Sequence, residues 1–356
     1  MMWIDNLLEK NIVPDSFIRV GIQQLLRQRQ KESQRATISD PQYLQNYIDS
    51  LKASPIAVET DKANEQHYEV PTEFYLRVLG KHLKYSCALW ENELATIPAS
   101  QWADKLHEAE TAMLQLTCER ADLSDGQTVL ELGCGWGSLS LWMAAHYPNS
   151  LIVSVSNSAT QKEYIDGQAL ERGLGNLKVV TADMNDFQTV ARFDRIVSVE
   201  MFEHMRNYEQ LMHKVSNLLV DGGKLFVHIF THLNTPYFFE DNDGTDWMAR
   251  YFFSGGQMPS RELLLHFADE VSIERLWHVN GVHYQKTCEA WLQRMDREKD
   301  EINDIFKTAY GEHQITKWTV YWRVFFMACA ELFGFRGGEE WFVTHYRFVK
   351  RGVQAD

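Results

Sequence analysis

Two glutamates and a histidine follow one apolar run of the sequence and could carry acid–base chemistry. Glu200, Glu203 and His204 come directly after the run 193–199. A carboxylate beside an imidazole can accept a proton or hold a cation, and a second carboxylate adds negative charge at the same place. The structural alternatives are that the acids cap a following helix and that His204 is a buried structural histidine. The pattern predicts a polar site at the end of a strand.

A second motif with chemical meaning is a glycine-rich loop. Gly133, Gly135 and Gly137 have the spacing G-x-G-x-G, which differs from the dinucleotide-binding G-x-G-x-x-G and from the phosphate-binding GK[ST] loop. Small residues let a ligand approach the backbone, and the following helix N-terminus favours an anionic group. Glu131 precedes the loop and Asp183 ends a later strand, as expected for carboxylates near a nucleoside. The loop predicts a cofactor with a nucleoside part.

Alternating strands and helices must position these residues. Short β-rich runs are separated by the helical segments 138–147 and 160–172. The predicted strands are 128–132, 151–156, 177–183, 193–200 and 224–230. This alternation is typical of a mostly parallel sheet covered by helices on both faces, an α/β fold.

The flanking regions complete a three-part organisation. We predict an N-terminal helical region at 1–60, lead-in helices at 61–124 and the α/β domain at 125–356, with a substrate cap inserted at about 231–335 that contains helical patterns near 287–309 and 313–333. In the first region a helical stripe of apolar residues accompanies five basic side chains. The stripe consists of Ile18, Ile22, Leu25 and Leu26. We expect this helix to pack on the main domain with a solvated basic face; the alternative is a membrane-surface helix.

Composition excludes several classes of protein. The 356 residues are 45% hydrophobic and carry a formal net charge of -14, which disfavours nucleic acid and stable association with an anionic membrane as partners. The five cysteines are dispersed without a CxxC pair, so neither a disulfide framework nor a metal site is expected. A signal peptide and an apolar run of about 18 residues are both missing from the sequence. These features predict a cytoplasmic protein.

The glycine loop, Glu131 and Asp183 together resemble the class I S-adenosylmethionine methyltransferases, which have a Rossmann-like sheet. The resemblance implies S-adenosylmethionine as cofactor. Its binding residues would include Asn157, which with Ser156 stands where most of that class has an acid. The remaining predicted cofactor residues are Gln161, Met184 and Val199.

The segment QHYEVPTEFYLRVLGKHLKYSCALWE, residues 66–91, resembles the lead-in of cyclopropane fatty acid synthases. In that family the YSC segment covers the cofactor, which implicates Tyr85 and Ser86. The residues that match synthase positions around a bound bicarbonate are Cys87, Glu203, His228 and Tyr284. Cys329 matches a cysteine sometimes assigned a catalytic role, although its apolar helical stripe equally fits a core position, as the strand position of His228 does.

Several motifs more closely resemble the coclaurine N-methyltransferase group, which methylates benzylisoquinoline amines and is dimeric. They are the opening 2–29, SVEMFEHMRNY, NDGTDWMARYFFSGGQMPS, HVNGVHY and ELFGFRGGEEW. Cyclopropane synthases tend to have glycine at the position of Glu200. The exchange fits amine chemistry, because a protonated amine must lose a proton before it attacks a methyl group, whereas an alkene needs no anion while it binds.

The resemblance predicts a homodimeric enzyme that methylates a small aromatic amine. Glu203 and His204 would accept or orient the amine proton. The aromatic cluster Trp247, Tyr251 and Phe252 could form the wall of the substrate pocket, or simply belong to the core. A cyclopropane-fatty-acyl-phospholipid synthase or related lipid methyltransferase is the alternative function, and a non-catalytic binding module is a third.

Overall fold

A seven-stranded sheet forms the centre of the molecule in the computed structural model, which describes residues 8–58, 70–240 and 247–352. The strands are β1 (Thr128–Leu132), β2 (Leu151–Ser156), β3 (Leu177–Thr181), β4 (Phe193–Val199), β5 (Leu219–His232), β6 (Tyr237–Phe238), β7 (Gln257–Met258), β8 (Val271–Val279) and β9 (Trp341–Lys350). The large sheet has the order β3-β2-β1-β4-β5-β9-β8, and β6 pairs with β7 separately. Strands β1 to β5 run parallel, while β9 is antiparallel to both of its neighbours. The predicted α/β fold with a mostly parallel sheet is confirmed.

Helices cover the sheet and form most of the region 231–335. They are α1 (Asp15–Ser39), α2 (Tyr43–Lys52), α3 (Thr72–Val78), α4 (Trp102–Arg120), α5 (Ser138–His146), α6 (Ala159–Glu171), α7 (Tyr208–Leu218), α8 (Trp247–Tyr251), α9 (Val282–Arg297), α10 (Lys299–Tyr310) and α11 (Ile315–Gly334). Two of them begin at side-chain caps: the Ser158 hydroxyl accepts from the Gln161 amide at the start of α6, and the Asn207 amide oxygen accepts from the Gln210 amide at the start of α7.

All five predicted strands are present, and the sheet contains two more. Strand β8 lies inside the region 231–335 that the sequence predicts as a cap, so a strand of the sheet interrupts that predicted region. Strands β8 and β9 follow the parallel part of the sheet and pair antiparallel. The regular alternation of strand and helix therefore does not predict them. The long pattern predicted at 287–309 is divided at Glu298 into α9 and α10.

The N-terminal helix α1 packs on the cap helix α11, as expected for a helix docked on the main domain. Ile18, Ile22 and Leu26 contact the hydrophobic core, whereas Leu25 is 65% exposed and lies off the packed stripe. The Arg19 guanidinium donates to Glu289 at 2.6 and 2.9 Å and to Glu331 at 3.0 Å. Part of the basic character of this helix therefore serves docking.

Some predicted boundaries and motifs fall partly outside the described residues. The division at 60/61, residues 66–69 of the lead-in motif, residues 242–246 of the NDGTDW motif and residues 2–7 of the opening motif belong to this group. Within the described ranges, no helix is long and apolar enough to cross a membrane.

Candidate active site

A cavity opens at the carboxyl ends of β1, β2 and β4, the edge where parallel sheets bind ligands. The glycine loop lines this cavity. It is fixed to the end of β2, because the Gly133 and Cys134 amides donate to the Val155 carbonyl at 3.0 and 2.9 Å. Gly133 and Gly135 have φ of +77° and +51°. A Cβ on Gly133 would lie 2.5 Å from Met201 Cγ, whereas a Cβ on Gly135 would meet no protein atom within 4 Å. The loop thus leaves open space for a ligand at Gly135.

The cofactor residues predicted from the sequence line one half of this cavity. Glu131 is 2% exposed, and its Oε2 accepts hydroxyl hydrogen bonds from Ser140 and, at 3.1 Å, from Ser154. Burial raises the pKa of Glu131 to about 7. The remaining members of this half are Tyr85, Ser86, Gly133, Gly135, Asn157, Gln161, Asp183, Met184 and Val199. The open space at Gly135 and these polar groups fit a nucleoside cofactor such as S-adenosylmethionine.

Ser156 and Asn157 occupy the position after β2 where most class I methyltransferases have an acid. The Ser156 hydroxyl donates to Gln161 Oε1 at 2.8 Å, so its donor is already used within the protein. Asn157 lines the cavity beside it. This position therefore offers the cavity a neutral amide in place of an acid.

A buried lysine, which the sequence reasoning did not single out, stands beside the cofactor half. Lys84 is 2% exposed, lines the cavity, and donates from Nζ to Ser86 Oγ at 2.5 Å. Burial lowers the pKa of Lys84, and the negative charge of Glu200 opposes that effect. The ammonium therefore acts as a counter-charge to the acidic cluster. Its position within the KYSC motif was the only sequence signal for it.

Glu200 lies at the centre of a set of hydrogen-bond donors. Its Oε1 accepts from the Cys87 amide at 3.0 Å and from His228 Nε2 at 3.1 Å, and its Oε2 accepts from Tyr284 Oη at 2.5 Å. Its φ is +49°, a conformation that strains a residue with a side chain. Burial raises the pKa of Glu200, and Lys84 together with these donors favours the charged form. The arrangement holds a carboxylate in the cavity wall.

Three of the four residues matched to a bicarbonate site thus donate to a side chain of the protein, and the fourth, Glu203, is the exception. Cys87, His228 and Tyr284 all donate to Glu200. Among the described residues, Glu200 and Tyr284 line the cavity, whereas Cys87 and His228 do not. The donors that would hold a small anion here already hold a carboxylate of the chain.

Glu203 and His204 lie on a 3-10 turn, Phe202–His204, directly after Glu200, and both line the cavity. Glu203 is 1% exposed, and its Oε2 has no hydrogen-bond partner among the residues that the structure describes. Burial and the nearby charge of Glu200 raise its pKa well above the usual range. Burial lowers the pKa of His204 to about 4, so its imidazole is neutral at pH 7. The raised pKa makes the ionised form of Glu203 a strong proton acceptor, whereas the lowered pKa of His204 makes its neutral imidazole the weaker base of the two.

The other half of the cavity is almost entirely apolar. It is lined by Phe230, Phe239, Met248, Phe253, Met258, Trp291, Phe325, Leu332 and Phe333. The imidazole of His204 stacks on Phe253, with ring centroids 5.7 Å apart and planes inclined by 5°. Acid–base groups and an aromatic wall therefore face the same space.

Trp247, Tyr251 and Phe252, which the sequence placed in the substrate pocket, are absent from the described cavity wall. Phe252 stacks on Phe325 at 4.3 Å and is 1% exposed. Trp247 and Tyr251 pack against Tyr321, at 5.3 and 4.8 Å. Because their segment is a short helix followed by a turn, its neighbouring residues Met248 and Phe253 face the cavity instead, and a density of aromatic residues does not say which of them point inward.

Cys329 lies in the apolar half of the cavity beside Cys288. Methyl transfer needs no covalent enzyme intermediate, so we expect Cys329→Ala to keep kcat within about threefold, as for a conservative change at a pocket wall. Steady-state kinetics of release of the demethylated cofactor would measure this. A fall of more than a hundredfold with unchanged thermal stability would instead assign chemistry to this thiol.

Known proteins are similar to this chain over most of its length. A family model for mycolic acid cyclopropane synthetase matches residues 57–338. An (S)-coclaurine N-methyltransferase of Thalictrum flavum subsp. glaucum is 38% identical over 349 residues, 97% of this chain and 94% of that protein. The crystal structure of a coclaurine N-methyltransferase bound to N-methylheliamine and SAH superposes with a TM-score of 0.91 at 37% identity, covering 98% of this chain and 99% of that one.

A lipid-modifying relative is less similar. The cyclopropane-fatty-acyl-phospholipid synthase of Escherichia coli strain K12 is 31% identical over 294 residues, which are 82% of this chain and 69% of that protein. Both groups of relatives therefore share most of the chain, and the side chains of the site must distinguish their chemistries.

Proposed function

Since this chain belongs to the mycolic acid cyclopropane synthetase family and is an S-adenosylmethionine-dependent methyltransferase, we propose that its methyl acceptor is a small aromatic, benzylisoquinoline-like amine. The observation that carries the proposal is the carboxylate of Glu200, held by three donors opposite an aromatic wall. An amine that is cationic in water and attached to a flat apolar body matches both surfaces.

When bound, S-adenosylmethionine supplies an electrophilic methyl group on a sulfonium. Gly133, Gly135, Glu131, Asn157 and Asp183 would hold it at the sheet edge. Tyr85 and Ser86 would cover it, as the family resemblance implies.

The chain itself prepares the acceptor nitrogen. The Glu200 carboxylate attracts the ammonium form, which can then transfer its proton to the ionised form of Glu203 or, less favourably, to the weaker base His204, leaving a nitrogen lone pair. The apolar wall excludes water from this pair and orients the amine, so that the lone pair can attack in line.

We test this function by measuring release of S-adenosylhomocysteine with primary, secondary and tertiary arylalkylamines and with vesicles of monounsaturated phospholipid. We expect turnover on amines, and we expect Glu200→Gln to raise KM for the amine by about tenfold or more, because the cation loses its buried counter-charge. The dissociation constant of S-adenosylmethionine serves as the control and should change little. Turnover on the vesicles alone would overturn the proposal in favour of lipid modification.

The Glu200 carboxylate occupies the donors that could otherwise hold a small anion such as bicarbonate. Because Cys87, His228 and Tyr284 already donate to Glu200, we expect methyl transfer to be unchanged, within about twofold, whether bicarbonate is removed or added. Turnover in degassed, bicarbonate-free buffer measures this. Dependence on bicarbonate would mean that an anion displaces Glu200 from its donors.

We also propose that the enzyme is a cytoplasmic homodimer. The support is the family resemblance for the dimer and, for the compartment, the five dispersed cysteines, which are all free. Light scattering of the purified chain measures the mass: about twice 41.5 kDa is expected, and a monomer at micromolar concentration would contradict the dimer.

A further inference from the structure

The carboxylate of Glu200 is connected to α4 by a chain of hydrogen bonds that crosses from β5 to β9. His228 Nε2 lies 3.1 Å from Glu200 Oε1, and His345 Nε2 lies 2.8 Å from His228 Nδ1. Arg120 Nη1 lies 2.9 Å from His345 Nδ1. His228 and His345 are paired across β5 and β9 and are fully buried, whereas Arg120 ends α4 and is partly exposed. The chain of contacts therefore runs from the cavity to near the molecular surface.

The chemistry of arginine fixes the direction of every bond in this chain. A guanidinium has donors and no acceptor, so His345 Nδ1 must accept. Neutral His345 then carries its proton on Nε2 and donates to His228 Nδ1. His228 in turn carries its proton on Nε2 and donates to Glu200. Burial and the positive charges of Lys84 and Arg120 lower the pKa of both imidazoles, so both are neutral at pH 7.

We propose that Arg120, His345 and His228 form a one-directional relay that keeps Glu200 ionised and oriented for a cationic acceptor. The inference deepens the proposed function and rests on it for the role of Glu200. In this relay Arg120 and His345 are positioning residues, since they reach the site only through His228. The fixed direction of its bonds also means that the relay cannot carry the amine proton away, which leaves proton acceptance to Glu203 and His204.

Other charged and titratable groups also face this network. Those around Glu200 are Lys84, Cys87, Glu203, His204 and Tyr284. Near Arg120 are the carboxylates of Glu91 and Glu119, and its guanidinium also lies over the Trp277 ring at 5.1 Å. None of these groups is altered by a substitution at His345. A difference between two His345 variants therefore reports on the relay.

The test compares His345→Leu with His345→Gln. Glutamine can accept from Arg120 and donate to His228, whereas leucine can do neither. For His345→Leu we expect the acidic limb of the pH profile of kcat/KM for the amine to move upward by about one pH unit, because the charged form of Glu200 loses support. His345→Gln should retain the wild-type limb. A purely structural role would lower thermal stability in both variants without moving this limb, and that outcome would overturn the relay.

A second measurement does not depend on methyl transfer or on the folding of the leucine variant. We expect ¹⁵N NMR of the full chain to show His228 and His345 both as neutral Nε2–H tautomers, and Arg120→Met to release His345 from that form. An Nδ1–H or doubly protonated His345 in the wild type would overturn the proposal. If no amine is methylated, the proposed function fails while these spectra still decide whether the relay exists.

Discussion

Glu203→Gln should abolish most of the methyl transfer while leaving the fold and the cofactor site intact. Glutamine preserves the shape of the protonated carboxyl but cannot accept the amine proton, so we expect kcat to fall by about a hundredfold or more. The carboxyl lines the cavity next to His204 and is 1% exposed, so solvent cannot replace it as a base. Single-turnover measurement of methylated amine, with cofactor affinity determined in parallel, checks this prediction.

The same substitution should stabilise the protein. Burial raises the pKa of Glu203 in the folded state, so the folded protein binds this proton more tightly than the unfolded chain does. Ionisation of Glu203 therefore costs stability as the pH rises above the unfolded value, and glutamine removes that cost. We expect a higher Tm for Glu203→Gln at pH 8 and a gain that shrinks towards pH 5. A kcat within threefold of wild type, or a Tm that falls at pH 8, would argue against a buried base here.

Gly135→Ala should weaken cofactor binding without unfolding the enzyme. Gly135 has a φ of +51°, and a Cβ there would project into space that holds no protein atom within 4 Å. We propose that the cofactor contacts the main chain of the loop in this space. An added methyl group would therefore weaken the binding free energy by about 1–3 kcal/mol, which is about 5- to 150-fold in Kd. Isothermal titration with S-adenosylhomocysteine measures the change.

Gly173→Ala provides the matched control. Gly173 also has a positive φ, +68°, and open space at its Cβ, but it follows α6 in an exposed turn outside the cavity lining. Both substitutions carry the strain of alanine in the left-handed region, about 1–2 kcal/mol, so their losses of stability should be alike. Equal cofactor affinity in the two variants would mean that Gly135 does not contact the ligand.

The parallel part of the fold could be predicted because each of its signals is local. Strands β1 to β4 are short runs rich in apolar residues, β5 contains one at 224–230, and the glycine loop follows the first of them. Their carboxyl ends must share one edge of the sheet, which brings Glu131, Asp183 and Glu200 to a single cavity. The sequence could therefore locate the site before any contact was known.

The residues of the site that the sequence did not predict are brought together by contacts between distant segments. His345 lies 117 residues from His228 in sequence and meets it only because β9 pairs with β5. Arg120 joins them from α4, which no periodic pattern connects to β9. Lys84 differs from a surface lysine only by its burial. None of these associations has a local signature, whereas the strand and loop motifs do.

The cavity is built from two stretches of the chain that can evolve at different rates. The acid–base residues all lie between Glu200 and His204, whereas most of the apolar wall, including Phe239, Phe253 and Phe325, comes after residue 230. Mutations in the later segment that spare Tyr284 and His345 can therefore reshape the acceptor that fits while the proton chemistry is inherited unchanged. A family built in this way can diversify its substrates by drift in one exchangeable portion of the gene. A chimera that joins the first 230 residues of this chain to the remainder of a relative with the same tyrosine and histidine at those positions should adopt the acceptor range of that relative.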